Sequence, residues 1–64
     1  MYTRYVELRD KFGYSDADVS KLTKIPPSTF TDWKNNRSKP KIEKLIKLAN
    51  LFECTVDELI KQED

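Results

Sequence analysis

Hydrophobic residues recur along the chain in five short groups at helical spacing, and turn-forming residues separate the groups. In the first group, Tyr5, Leu8 and Phe12 are three or four residues apart, so they fall on one face of a helix. Gly13 follows, and glycine readily adopts the left-handed conformation that ends many helices. The pattern predicts a first helix over residues 2–12.

The second group begins at Ser15, and Asp18 follows three residues later. A serine and an acidic residue at this spacing form a capping box, in which each side chain bonds the backbone N–H of the other residue. We therefore expect a second helix from residue 15 to about residue 22, with Val19 and Leu22 facing inward.

Two consecutive prolines separate the second helix from a third. Pro26 disfavours a helical conformation at Ile25, whereas Pro27 suits the first position of a new helix, where its missing N–H is not needed. The third helix is expected to run from residue 27 to about residue 35. Asn36 is suited to the left-handed turn that ends it.

The most hydrophobic segment lies over residues 41–52 and predicts a fourth helix. Its wide apolar stripe is formed by Ile42, Leu45, Ile46, Leu48, Ala49 and Phe52. Thr55 and Glu58 form a second capping box, which predicts a last short helix with Val56, Leu59 and Ile60 facing inward. Strand-like alternation is absent from the sequence, so the predicted fold is all-α: a compact bundle of five short helices in one domain, 1–64.

The third helix has two chemically opposite faces. With a rotation of about 100° per residue, Phe30 and Trp33 fall on one face and are expected to anchor the helix in a core. The opposite face carries short polar side chains, those of Ser28, Thr31, Asp32 and Asn35. Because such residues form helices poorly, an ordinary solvated face explains them less well than a surface that approaches base edges in a DNA major groove.

Charge is distributed unevenly, although the formal net charge is only +1. Residues 1–23 are neutral overall, residues 24–47 carry a net charge of +5, and residues 48–64 carry −4. The basic middle third is therefore expected to face a polyanion, and the acidic third to face away from it.

Composition narrows the class of protein further. The chain of 64 residues has no apolar run near the roughly 20 residues of a membrane span, and its start lacks the apolar stretch of a signal peptide. A single cysteine, Cys54, fits a reducing compartment, so we expect a cytoplasmic protein without a membrane partner. Without a histidine, a glycine-rich phosphate loop or a cluster at metal-ligand spacing, the sequence predicts no enzyme, no cofactor, no metal and no small-molecule site.

Residues 15–60 resemble the helix-turn-helix domain of the lambda-repressor-like family, which includes Cro and the phage repressors. The resemblance rests on the joint spacing of Val19, Leu22, Ile25, Phe30, Trp33, Pro40, Leu48, Ala49, Phe52 and the closing segment 55–59. It implies that the second and third helices form the motif, at about residues 15–36, with the third helix in the major groove. It also implies a transcription regulator, a repressor of phage or prokaryotic type, that binds double-stranded DNA as a homodimer.

Carried over by position, the resemblance implies two sets of DNA contacts. Base edges would be contacted by Pro27, Ser28, Thr31, Asp32 and Asn35. Phosphates would be held by Ser15, Thr29, Lys34, Asn36, Arg37 and Lys39. Two of these, Arg37 and Lys39, also lie in the loop directly after the third helix, which favours phosphate contacts.

Three residues depart from the family pattern. Lys24 stands where a turn glycine is usual, and Pro26 replaces the serine or threonine that usually caps the third helix, so one capping hydrogen bond is lost. Asp16 stands where a glutamine often contacts a phosphate, and a carboxylate cannot donate that bond.

Asp32 raises a separate question, for which the sequence leaves three interpretations. It could accept a hydrogen bond from cytosine N4, orient a nearby lysine or arginine, or act as an acidic surface residue that disfavours DNA. Asp16 and Asp32 together favour an alternative function on the same fold, a protein-interaction module such as an antitoxin or a regulator's partner. A dimer contact is expected among exposed apolar residues of the last two helices, with Leu51 and Ile60 as candidates.

Overall fold

The computed structural model describes residues 1–60, which form five helices and contain no strand. In chain order the helices are α1 (Tyr2–Lys11), α2 (Asp16–Thr23), α3 (Pro27–Lys34), α4 (Ile42–Leu51) and α5 (Val56–Ile60). The predicted all-α fold of five short helices is confirmed, and each predicted helix boundary lies within one residue of the observed one. Among the described residues, no helix is both long enough and apolar enough to cross a membrane.

The predicted acidic third of the chain extends beyond α5. Its charges at Lys61, Glu63 and Asp64, like the C-terminal boundary of the predicted domain, lie outside the described residues. Within the described part, Glu53, Asp57 and Glu58 are all exposed, so this end of the surface is acidic.

The core is built around aromatic side chains. The Tyr5 ring stacks on Phe30 with centroids 5.3 Å apart, and Phe30 meets Trp33 edge to face at 5.2 Å. The predicted core role of Phe30 and Trp33 is confirmed, and burying each large apolar side chain contributes about 1.5–3 kcal/mol. The buried cluster comprises Tyr5, Leu8, Val19, Ile25, Phe30, Trp33, Leu48, Ala49, Phe52 and Leu59.

Three helices end in a Schellman motif, with a left-handed residue just past the cap. These residues are Gly13 after α1, Asn36 after α3 and Glu53 after α4, with φ values of 74°, 57° and 53°. In the motif that ends α3, the Arg37 N–H donates to the carbonyl of Asp32 at 2.8 Å. The predictions for Gly13 and Asn36 are confirmed, whereas the sequence did not single out Glu53, because glutamate seldom adopts this conformation.

The inward prediction for Leu22 is wrong, since this side chain is 56% exposed. The inner face of α2 instead carries Asp16, Val19 and Thr23, which are spaced three and four residues apart. Asp16 is bonded to α1, and Leu22 lies outside the face that packs against the core. The buried Thr23 hydroxyl is satisfied because it donates to the Val19 carbonyl at 2.6 Å.

The last two helices bury less apolar surface than their sequence suggests. The inward prediction for Ile60 is wrong, because this residue is 46% exposed while the adjacent Leu59 is fully buried. A helix of only five residues presents a narrow face to the core, and Ile60 lies beside that face. On α4, Ile42 and Ile46 lie on the flank of the apolar stripe and are also exposed.

Candidate nucleic-acid interface

The turn between α2 and α3 is held by side chains that bond the backbone. The Ser20 hydroxyl donates to the carbonyl of Ile25, and the Ile25 N–H donates to the Thr23 hydroxyl at 3.4 Å. Lys24 occupies the turn in the left-handed conformation, with φ 62° and ψ 23°. The sequence expectation that a lysine takes the place of a turn glycine is confirmed, together with the backbone strain that this implies.

α3 begins as the two prolines predict. Pro27 is the first helical residue, and Pro26 occupies the cap position without a side-chain capping bond. The Pro26 carbonyl accepts the Thr29 N–H at 3.0 Å, so the first backbone bond of the helix is formed. The loss of one capping hydrogen bond is confirmed, and packing of the aromatic face against the core stabilises α3 in its place.

The polar side of α3 faces outward, opposite the buried aromatic residues. Four of the predicted base-contact residues are exposed, namely Pro27, Ser28, Thr31 and Asn35, and the fifth, Asp32, is half-buried. Within residues 1–60, the side chains of Ser28, Thr31 and Asn35 form no hydrogen bond with the protein. α3 therefore presents a row of short donors and acceptors that are available to a ligand.

Asp32 lies next to Arg37, which follows the Schellman motif at the end of α3. The Arg37 Nη1 is 3.8 Å from Asp32 Oδ1, too far for a hydrogen bond, and the two side chains are 69% and 43% exposed. An ion pair this exposed contributes at most about 1 kcal/mol. The geometry brings together the two residues of the second interpretation, in which Asp32 orients a nearby arginine.

The predicted phosphate-contact residues lie in two places. Asn36, Arg37 and Lys39 are exposed in the loop after α3, next to the exposed Lys34 in its last turn, and Thr29 is half-buried in the first turn of α3. Ser15 is apart from them and caps α2. Its hydroxyl accepts the Asp18 N–H at 3.1 Å, and the Asp18 carboxylate accepts the Ser15 N–H at 3.0 Å.

This capping box confirms the predicted beginning of α2 and also affects the pKa of Asp18. The hydrogen bond from the Ser15 N–H holds the pKa of the Asp18 carboxyl below its ordinary value. The capping box predicted at Thr55 and Glu58 is formed only in part within residues 1–60: the Thr55 hydroxyl accepts the Glu58 N–H at 3.1 Å, and α5 begins where the sequence predicts.

Asp16 is engaged by two residues of α1 that the sequence reasoning missed. Its Oδ1 accepts the Tyr5 hydroxyl at 2.6 Å and the Arg9 Nη1 at 2.9 Å, while Arg9 also bonds Asp10. Lys34 of α3 is close enough for its charge to act on Asp16. We call Tyr5, Arg9, Asp16 and Lys34 the three-helix junction, because they join α1, α2 and α3.

The pKa values of the three-helix junction follow from these contacts. Burial alone would raise the pKa of the Asp16 carboxyl, but the bonds from Tyr5 and Arg9 and the charges of Arg9 and Lys34 outweigh it, and the pKa is lowered. Burial and the bond to Asp16 raise the pKa of Tyr5 above its ordinary value. Asp16 is thus a charged acceptor that satisfies a buried phenol, which no local signal in the sequence indicates.

Fold and surface together define a helix-turn-helix domain, in which α2 and α3 form the motif and α3 presents the exposed polar face. A family model described as Helix-turn-helix matches residues 7–59. The chain belongs to this family, in its lambda-repressor-like form, as its sequence resemblance implied.

A known regulator is similar to nearly the whole chain. The HTH-type transcriptional regulator AnsR of Bacillus subtilis (strain 168) is 37% identical over 60 residues. The match covers 94% of this chain and 52% of that protein, so the chain spans about half the length of its relative. No solved structure gives a significant match.

Proposed function

We propose that this chain is a sequence-specific, double-stranded DNA-binding domain of a transcription regulator. The observation that carries the proposal is the exposed polar row on α3, which is unpartnered within residues 1–60 and lies opposite two buried aromatic anchors. Membership of the helix-turn-helix family supports the proposal, and the similarity to a transcriptional regulator extends it from DNA binding to regulation. α3 enters the major groove, and α2 lies across the backbone.

Two groups of residues have different roles at this interface. Specificity comes from the base-contact group, which comprises Pro27, Ser28, Thr31, Asp32 and Asn35. Most of the affinity comes from the phosphate-contact group, which comprises Ser15, Thr29, Lys34, Asn36, Arg37 and Lys39. Within residues 1–60, no carboxylate lies within 4.0 Å of the amino groups of Lys34 and Lys39, so these cations are available to phosphates.

The regulator acts in the cytoplasm as a repressor of phage or prokaryotic type and binds as a homodimer. Two copies related by a twofold axis place their α3 helices in successive major grooves, about 34 Å apart, on a palindromic site. Ile60 and Leu51 are the proposed dimer contacts, and the exposure of Ile60 supports this assignment. No enzymatic activity is proposed.

A titration with DNA tests the proposal. A binding site is first selected from a random duplex pool, and the dissociation constant is then measured by fluorescence anisotropy at several salt concentrations. Arg37→Ala and Lys39→Ala should weaken binding to every sequence alike and reduce the salt slope by about one unit each. The control is Lys47→Ala, which removes an exposed charge from α4 and should leave the slope unchanged.

Base preference provides the second part of the test. Ser28→Ala and Asn35→Ala should change which bases are selected at one or two positions and leave the salt slope intact. A protein-interaction module on the same fold would select no sequence from the pool. Binding that shows neither sequence preference nor salt dependence overturns the proposal in favour of this alternative.

A further inference from the structure

We propose that Tyr5 and Asp16 are positioning residues for DNA binding, which together fix the beginning of α2 relative to α3. This inference rests on the proposed function, because its consequence is the geometry with which two helices meet one duplex. It assigns Asp16 a role that favours DNA binding, although its charge suggests the opposite.

The first step is that one side chain contacts both helices of the motif. The Tyr5 ring is fully buried and stacks on Phe30, the central aromatic anchor of α3, at an interplanar angle of 22°. Its hydroxyl donates to Asp16, in the first turn of α2. Because a phenol ring is rigid, the distance from the α3 anchor to the beginning of α2 is set by Tyr5.

The second step is that Asp16 has little freedom to move. Its Oδ1 accepts two donors from α1, at 2.6 and 2.9 Å, and both donors come from residues one turn apart on the same helix. The Arg9 guanidinium is further held by Asp10, at 3.1 Å from Nε and 3.0 Å from Nη2. Hydrogen bonds with a charged partner are about twice as strong as neutral ones, so the two short bonds restrain Asp16 although 45% of its side chain is exposed.

The third step concerns charge. A carboxylate at the beginning of α2 would repel a phosphate if it were uncompensated, yet Asp16 is paired with Arg9 and lies near Lys34. The Arg9 guanidinium therefore directly pairs with this carboxylate, and the charge of Lys34 acts on it from a greater distance. The three-helix junction does not present a bare negative charge to DNA.

The fourth step links this geometry to the duplex. Ser15, the proposed phosphate contact on α2, is the neighbour of Asp16 in the chain, whereas the base-contact residues lie on α3. Phosphate contacts set the register and orientation of a protein on DNA. Loss of the Tyr5–Asp16 bond should therefore misalign α3 with its bases while the positive charges that hold the backbone remain.

The test uses three single variants of the whole chain and the selected duplex. Tyr5→Phe keeps the stacked ring and removes only the hydroxyl, and Asp16→Asn keeps the shape and removes the charge. Tyr14→Phe is the matched control, because within residues 1–60 its hydroxyl forms no hydrogen bond with a side chain. The dissociation constants for the selected and a scrambled duplex are measured well below each variant's unfolding temperature, and circular dichroism verifies the fold.

Tyr5→Phe and Asp16→Asn should each weaken binding to the selected duplex about tenfold, with a smaller change on the scrambled duplex. The double variant should lose less than the sum of the two single losses, since Tyr5→Phe removes the bond that Asp16→Asn only weakens. A role limited to fold stability would lower the unfolding temperature and leave the affinity of the folded protein unchanged, which overturns the inference. Tighter binding of Asp16→Asn to both duplexes also overturns it, because Asp16 would then act as a repulsive charge.

Failure of the proposed function has a different outcome in the same experiment. If the unmodified chain binds selected and scrambled duplexes equally and without salt dependence, both the function and the inference are refuted. If it discriminates between them and the variants match it, only the inference is refuted. Should Tyr5→Phe fail to fold, Asp16→Asn still decides the question, because it retains the buried tyrosine.

Discussion

The left-handed lysine in the motif turn leads to a quantitative prediction. Lys24 has φ 62°, a conformation that costs an L-residue about 1–2 kcal/mol and costs glycine almost nothing. Glycine in turn loses about 0.5–1 kcal/mol more conformational entropy on folding. The Lys24 side chain is exposed and makes no hydrogen bond or ion pair within residues 1–60, so its removal sacrifices no polar interaction of that part. Lys24→Gly should therefore stabilise the domain by about 0.5–1 kcal/mol.

Thermal unfolding followed by circular dichroism measures this effect. For a domain of this size the expected gain corresponds to a rise of about 3–6 °C in the unfolding temperature. Lys24→Ala is the matched control, because it removes the same side chain and retains a Cβ in the strained conformation. Glu53→Gly repeats the experiment at a second left-handed position, with φ 53°, far along the chain from the motif.

Two results would refute the reasoning. If Lys24→Ala raises the unfolding temperature as much as Lys24→Gly, the gain comes from loss of the side chain or its charge and not from the backbone. If Lys24→Gly lowers the temperature, the turn is not strained. Asn36→Gly should have a smaller effect than Glu53→Gly, because asparagine tolerates the left-handed region better than glutamate.

Three other features lead to measurable expectations. Trp33→Ala removes a side chain that is 97% buried and should lower the free energy of unfolding, measured by urea denaturation, by about 3–5 kcal/mol. Leu22→Ala should change it by only about 0.5 kcal/mol, and equal losses would contradict the exposed position of Leu22 on α2. Ser20→Ala should cost about 1 kcal/mol in the same assay, because the Ile25 carbonyl loses its donor, and no loss would show that water replaces it. Between about pH 6 and about pH 2, the unfolding temperature of the unmodified protein should fall more steeply than that of the Asp16→Asn variant.

The sign of the acid effect follows from the lowered pKa of Asp16. The unfolded chain takes up a proton at the ordinary carboxyl pKa, whereas the folded protein resists protonation until a lower pH. The stabilisation is therefore complete above the unfolded pKa and is lost as the pH falls through the folded one. Parallel pH profiles for the two proteins would contradict this assignment.

Features set by local chemistry could be predicted from the sequence. The capping box at Ser15, the first helical position of Pro27 and the left-handed Asn36 each depend on residues within three or four positions along the chain. Their outcomes were therefore decided by short-range sterics and hydrogen bonding. The inward aromatic face of α3 was equally predictable, because Phe30 and Trp33 are its only large apolar side chains and no competing apolar face exists.

Features set by contacts between helices could not be predicted. A helical wheel places Leu22 as well as Thr23 beside Val19, and the choice between the two depends on how α2 is rotated against α1. The observed rotation buries Val19 and Thr23 and is accompanied by a bond between residues 5 and 16, whose geometry exists only after the helices pack. The contact of Arg9 with Asp16 could not be predicted for the same reason, because in the sequence Arg9 is an ordinary basic residue near the end of a helix.

The two acidic residues of the motif can now be distinguished by what holds them. Asp16 is bonded to a buried phenol and to a guanidinium at 2.6 and 2.9 Å, so a phosphate that approaches α2 would meet a carboxylate whose charge is already paired. Asp32 has only an exposed arginine at 3.8 Å, and a phosphate competes effectively with so weak a partner. In the proposed complex, Arg37 turns to the DNA backbone and releases Asp32 on the polar face of α3. Of the two, we therefore expect Asp32 to accept a hydrogen bond from a base, and we expect its charge to penalise every site that lacks a donor at that position.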